Sequence, residues 1–183
     1  MPDVVDLIMQ DHRQMEELFE KLKSHPEQRP GLIPVLTTLL TAHSRAEEAE
    51  VYPAAAQAGG EEEVEHSQEE HVEADQLLAR LAQTDPASAE FESVLGDLVD
   101  AVTHHVEEEE STVLPGMRER LSDDRLTQLG AAFLASRAEH LGEQPEDITK
   151  KQLEQQAANM DLARTSDMSK QELTEELRRS ASD

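Results

Sequence analysis

The chain has 183 residues, 41 acidic against 16 basic side chains for a formal net charge of −25, 2% aromatic residues and no cysteine. That charge repels nucleic-acid phosphates and anionic headgroups, and the missing thiols exclude disulfides, thiolate catalysis, iron–sulfur clusters and thiolate zinc sites. Seven glycines and eight prolines amid abundant Glu, Gln, Leu, Ala and Arg favour packed helices over any sheet, and the length suits one domain with an appendage.

The opening "MPDVVDLIMQ" has no basic leader, and no stretch approaches the roughly 18 apolar residues of a membrane span, so a cytoplasmic protein is expected. Val5, Ile8, His12, Met15, Phe19 and Leu22 then recur at steps of three and four, which predicts a helix over about residues 4–23 with Asp3 as its N-cap. "SHPEQRPG" breaks it. Leu36, Leu39, Leu40, His43 and Glu47 form the second stripe, with Pro34 in its first turn and Pro53 at its end.

"AQAGGEE" makes the next turn. The third stripe is Val64, Ser67, His71, Asp75, Leu78 and Leu81, and "TDPAS" ends it and caps its successor. The fourth carries Phe91, Val94, Leu95, Leu98, Val102, His105 and Glu109 before Pro115. A fifth helix is predicted from the Ser122 cap to Gly142 and Pro145, covering a flank of the bundle. Two short amphipathic helices follow, around Leu153 and Ala157 and around Leu173 and Leu177, with Thr149 and Ser169 as caps.

The first 115 residues repeat internally. "HSRAEEAEVYP" at 43–53 and "HVEEEESTVLP" at 105–115 share a His-to-Glu-to-Pro spacing, and each follows a helix with one stripe histidine, 31 and 34 residues earlier. One helical hairpin cannot bury its own stripe. Two of them packed antiparallel give an all-α, up-down-up-down four-helix bundle with a fifth helix and a C-terminal helical tail, divided at 1–142 and 143–183.

Residues i and i+4 share a helix face, so His43 with Glu47 and His105 with Glu109 point inward together, and His12 and His71 join them from the intervening stripes. Four imidazoles and two carboxylates suit a pair of six-coordinate first-row ions. One His with an acid at i+4 means little in so acidic a chain; the duplicated conjunction carries the reading. His104 with Glu108 has the same spacing, but alignment to Pro115 favours His105. His25, His66 and His140 fall near loops or helix ends and read as exposed. The ferritin-like Glu-x-x-His pair occurs once, at Glu63 and His66, where two are needed. Nucleotide-binding glycine loops, zinc-hydrolase motifs and serine elbows are absent from the sequence.

Over residues 4 to about 140, "DLIMQDH", "HSRAEEAEVYP", "EEH" and "HHVEEEESTVLP" resemble the hemerythrin-like, HHE cation-binding family. The resemblance implies a bundle with an oxo- or hydroxo-bridged pair of Fe ions, with iron ranked ahead of manganese or zinc. It implies His12 and His43 on one iron, His71 and His105 on the other, and Glu47 and Glu109 bridging. One departure stands out: oxygen-carrying members have a further histidine where this chain has Ser67. Tyr52, Glu48, Glu110 and Asp75 are the substitutes at hand, although Tyr52 also reads as an aromatic closing the bundle end.

The expected partners are O2, H2O2 and NO. The missing histidine leans the expectation toward catalase-like peroxide consumption or an oxidative-stress role, beside reversible O2/NO binding or sensing and iron storage or delivery. The tail, residues 148–179, is weakly similar to Rho N-terminal and SAP-like nucleic-acid modules. From Glu143 onward it holds six basic and ten acidic residues, so it is expected to serve protein contact or oligomerisation.

Overall fold

A computed structural model of the chain describes residues 2–182, and all regular structure among them is helical. Helix α1 (Val4–Ser24) starts where the Asp3 carboxylate accepts from the Asp6 N–H at 2.9 Å. A 3-10 turn at Pro26–Gln28 leads into α2 (Arg29–Ala46). That helix begins earlier than the stripe suggested, because Pro30 occupies its first turn, which leaves Pro34 inside the helix.

The rod does not stop at Pro53. A π-helical turn at Glu47–Val51 joins α2 to α3 (Tyr52–Gln57), and the Tyr52 N–H bonds to the Glu47 carbonyl five residues back. A proline ring crowds the carbonyl four positions earlier, and the widened turn gives it room. Helices α4 (Glu61–Gln83) and α5 (Ala89–Ser111) complete the bundle, with the Ser88 hydroxyl capping α5 at the Phe91 N–H. The chain breaks at Thr112 and restarts as α6 (Val113–Arg120), whose first turn absorbs Pro115, where a missing N–H leaves nothing unpaired.

Helix α7 (Asp123–Glu139), capped by Ser122, covers a flank along α1 and α2. Gly130 lets this happen: a Cβ there would meet the Pro2 carbonyl oxygen at 3.0 Å. Helices α8 (Lys150–Asn159) and α9 (Lys170–Ser180) start at capping boxes on Thr149 and Ser169. They form a small apolar cluster with Val72 of α4 through Leu153, Ala157, Met160, Leu173 and Leu177. No helix among the described residues is long and apolar enough to cross a membrane.

The bundle core is layered. One apolar cluster gathers Met15, Phe19, Leu36, Leu40, Leu78, Phe91, Leu95 and Leu98. A second gathers Val4, Ile8, Val51, Val64, Leu114 and Phe133. Helices α1, α2 and α4 pass through both, α5 lies in the first and is continued into the second by α6, and His12, His43, His71 and His105 lie at the crossing between them. Packing of the two apolar layers therefore fixes the height of a single polar layer.

Candidate metal centre

All six residues singled out from the sequence meet in that layer, each at most 6% exposed, whereas His104 points outward with 60% of its side chain exposed. The imidazoles turn the same edge inward. His43 Nε2 lies 3.1 Å and His71 Nε2 3.3 Å from Glu47 Oε2. His12 Nε2 lies 3.2 Å and His105 Nε2 4.0 Å from Glu109 Oε2. His12, His43 and Glu47 form one cluster of converging donor atoms, and Glu47, His71 and His105 form another, each spanning at most 4.8 Å. Glu47 belongs to both, and Glu109 reaches one imidazole of each, so the set has the arrangement of two positions sharing two carboxylates.

Both oxygens of Glu47 and of Glu109, together with Nε2 of His12 and of His43, are buried without a hydrogen-bond partner. Anions in a dry layer cost several kcal/mol each unless a positive charge, an imidazolium or a metal ion, neutralises them. The donors present therefore fit a pair of metal ions: six nitrogen and oxygen ligands, none of them a thiolate.

The outer edges of the rings are held just as consistently. Nδ1 of His12 pairs with Glu110 Oε1 at 2.9 Å, of His43 with Asp11 Oδ2 at 3.3 Å, of His71 with Glu48 Oε1 at 3.3 Å and of His105 with Glu70 Oε2 at 2.8 Å. A carboxylate on the far nitrogen fixes ring orientation and makes the inward nitrogen a better donor to a metal. Sequence reasoning did not find this set, apart from Glu48 and Glu110 as stand-ins for the missing histidine. A signal was available: Asp-His and Glu-His at 11–12 and 70–71, and Glu-Glu at 47–48 and 109–110, recur with the repeat. In each case the acidic neighbour serves the imidazole of a different rod.

Of the four substitutes considered for that histidine, Tyr52 is the one aimed at an inward nitrogen. Its hydroxyl lies 3.0 Å from His71 Nε2, and its side chain is fully buried. The π turn places it there, one widened turn beyond Glu47. Ser67 is also buried, while Asp75 pairs with Arg45 outside the layer. A cavity of ≈ 10 Å³ bordered by the four histidines, Met15, Leu40 and Val102 is at the lower limit for one water.

Burial opposes charge on His43, but Glu47 and Asp11 overcome it and raise its pKa to about 10. Burial likewise opposes charge on His71, yet Glu47 and Glu48 raise it to about 9, and Glu109 raises His12. Glu47, despite burial, is held well below the carboxylate range by His43 and His71. Burial, followed by the surrounding carboxylates, pushes the Tyr52 phenol well above its usual range, so it stays a hydrogen-bond donor. With no cation bound, protons on the imidazoles balance the carboxylates, and a metal would displace them.

Fold and site together define a helical bundle built around a buried cation-binding layer. The Hemerythrin HHE cation binding domain matches residues 3–116, and the chain belongs to that family. A relative from Nostoc sp. with the name DNA nickase is 30% identical over 138 residues, 74% of this chain, which spans only 39% of that protein's length. An uncharacterized hemerythrin-like protein from Schizosaccharomyces pombe is 25% identical over 138 residues, 73% of this chain and 68% of its own. The crystal structure of a hemerythrin HHE cation binding domain-containing protein from Mycobacterium kansasii, the Rv2633c homolog, superposes with a TM-score of 0.68. It covers 87% of this chain and 99% of its own at 23% identity, a likeness of fold.

Proposed function

We propose that the chain binds a pair of iron ions through His12, His43, His71, His105, Glu47 and Glu109 and consumes hydrogen peroxide. The observation that carries this reading is the Tyr52 hydroxyl, a buried proton donor held 3.0 Å from an inward nitrogen of the layer. Two redox-active ions would supply the electron pair that peroxide disproportionation exchanges.

The protein's own residues do the rest. Glu47 and Glu109 hold the two positions at a common spacing, and Asp11, Glu48, Glu70 and Glu110 keep every imidazole facing inward. Tyr52 offers a proton from Oη. Met15, Leu40, Val102 and Val106 border the layer and keep bulk water from it. Ligands this enclosed do not suit storage, which needs iron to leave readily. The −25 charge disfavours a DNA backbone, so the activity in the Nostoc protein's name is an unfavourable reading here.

The test is oxygen evolution from H2O2 by iron-loaded protein. Sustained turnover supports the proposal. Reversible absorbance changes on O2 addition and removal without turnover would indicate an oxygen binder, and rapid iron loss to a mild chelator with neither behaviour would indicate storage.

A further inference from the structure

The four outer carboxylates are not equivalent in what sits behind them. Asp11 is paired to Arg137, Glu110 to Arg13 and Glu48 to Arg45. Among the described residues, no arginine pairs with Glu70. Its Oε2 is occupied by His105, while its Oε1 is buried and hydrogen-bonded to nothing, on a side chain only 10% exposed. Facing that oxygen are His66, His104 and Glu108, which come from α4 and α5 at the same i,i+4 spacing, His66 to Glu70 and His104 to Glu108, that builds the inner site.

We propose that these four residues form a separate divalent-cation site on the outside of the bundle, of the nitrogen- and oxygen-ligated class that takes Zn2+. Tetrahedral ligands at bonds of roughly 2.0–2.1 Å stand about 3.3 Å apart. The observed separations are 2.9 Å for His66 Nε2 to Glu108 Oε2, 3.6 Å for His66 Nε2 to Glu70 Oε1, 3.5 Å for His104 Nε2 to Glu70 Oε1 and 3.4 Å for His104 Nε2 to Glu108 Oε1. An ion there occupies the place that arginine takes behind the other three carboxylates. It partners Glu70 Oε1 and leaves Oε2 on His105. The second i,i+4 register in "HHVEEEE" is thereby used as well, facing outward instead of inward.

The experiment is a calorimetric titration with Zn2+ of iron-saturated protein, against the variant carrying His66→Ala and His104→Ala and a control carrying His25→Ala. Both replaced histidines are more than half exposed, so the double variant should keep its fold, checked by its circular dichroism and melting temperature without zinc. The wild type and the His25 control should bind one more equivalent of zinc than the double variant, and Glu108→Gln should weaken that equivalent at least tenfold. The reading is overturned if the double variant keeps the same stoichiometry and affinity, or if the wild type takes up no zinc. The comparison counts a difference of one ion, so it stands whether or not the inner layer holds iron.

Discussion

The side-chain amide of Gln156 donates to Glu48 Oε1 at 3.0 Å, which ties the C-terminal extension to the carboxylate behind His71. Asn159, one turn later, donates to the Glu48 carbonyl and to Gln68 Oε1, and Gln68 donates to Glu48 in turn. Against the effect of its burial, Arg45, then His71 and Gln68, hold the Glu48 carboxyl down to about 2. The extension is therefore part of the wall of the metal layer.

Replacing Gln156 and Asn159 together by alanine should destabilise the protein by about 2–5 kcal/mol, since the Gln156 bond to the charged Glu48 contributes about 1.5–3 kcal/mol and the neutral bonds of Asn159 about 0.5–1.5 kcal/mol each. The urea midpoint reports this. An unchanged midpoint would mean that the extension rests on the bundle without bracing Glu48.

His71→Ala and Glu109→Ala should each lower bound iron to one ion or fewer per chain, measured by elemental analysis after exhaustive dialysis. Either variant retaining both full iron and full peroxide turnover contradicts the assignment of these side chains.

Tyr52→Phe removes one oxygen and leaves the ring in place. Iron content should be unchanged and peroxide turnover should fall about 100-fold, the lower end of what a positioned proton donor contributes. Loss of iron together with activity would instead identify the phenol as a ligand.

Protein stripped of metal should become less stable as pH rises. His43 at about 10 and His71 at about 9 lie above the ordinary 6.5, so the folded chain holds protons that the unfolded chain has released. Their contribution is complete below about pH 6.5 and is lost as pH climbs through 9 to 10. Glu47 works in the opposite direction, its contribution being lost in acid as the carboxylate is protonated. Thermal melts of chelator-treated protein from pH 6 to 10 should show a falling melting temperature; a flat profile refutes the paired-proton account.

Leu98, fully buried in the larger apolar cluster, lies about two turns before His105 on the same helix and is not itself a site residue. Leu98→Ala should cost about 2–5 kcal/mol through the cavity it leaves. Iron binding at 25 °C should survive, which would separate bundle stability from ligand identity.

The rods and the inward stripe were legible because helical periodicity and the internal repeat marked the same residues independently: His12, His43, His71 and His105 each fall on an apolar stripe. The caps at Asp3, Ser88, Ser122, Thr149 and Ser169 were legible for a local reason, since a short polar side chain needs only its own next turn. The π turn was not. Pro53 looks like a stop, and only the continuing burial of Tyr52, Ala54 and Ala55 shows that the rod carries on. Nor could spacing reveal that Asp11 serves His43 while Glu70 serves His105, because those pairings cross between rods. The role of Gln156 was equally hidden, as nothing near it in sequence hints at a buried anion 108 residues away.

Apolar clusters close the polar layer above and below and its six inward side chains are buried, so an arriving ion meets no open doorway. Filling must happen while the rods are still coming together, or in the brief intervals when they part. The pace of iron acquisition should then follow how often the bundle breathes, and a surplus of iron in the surroundings would hurry it little.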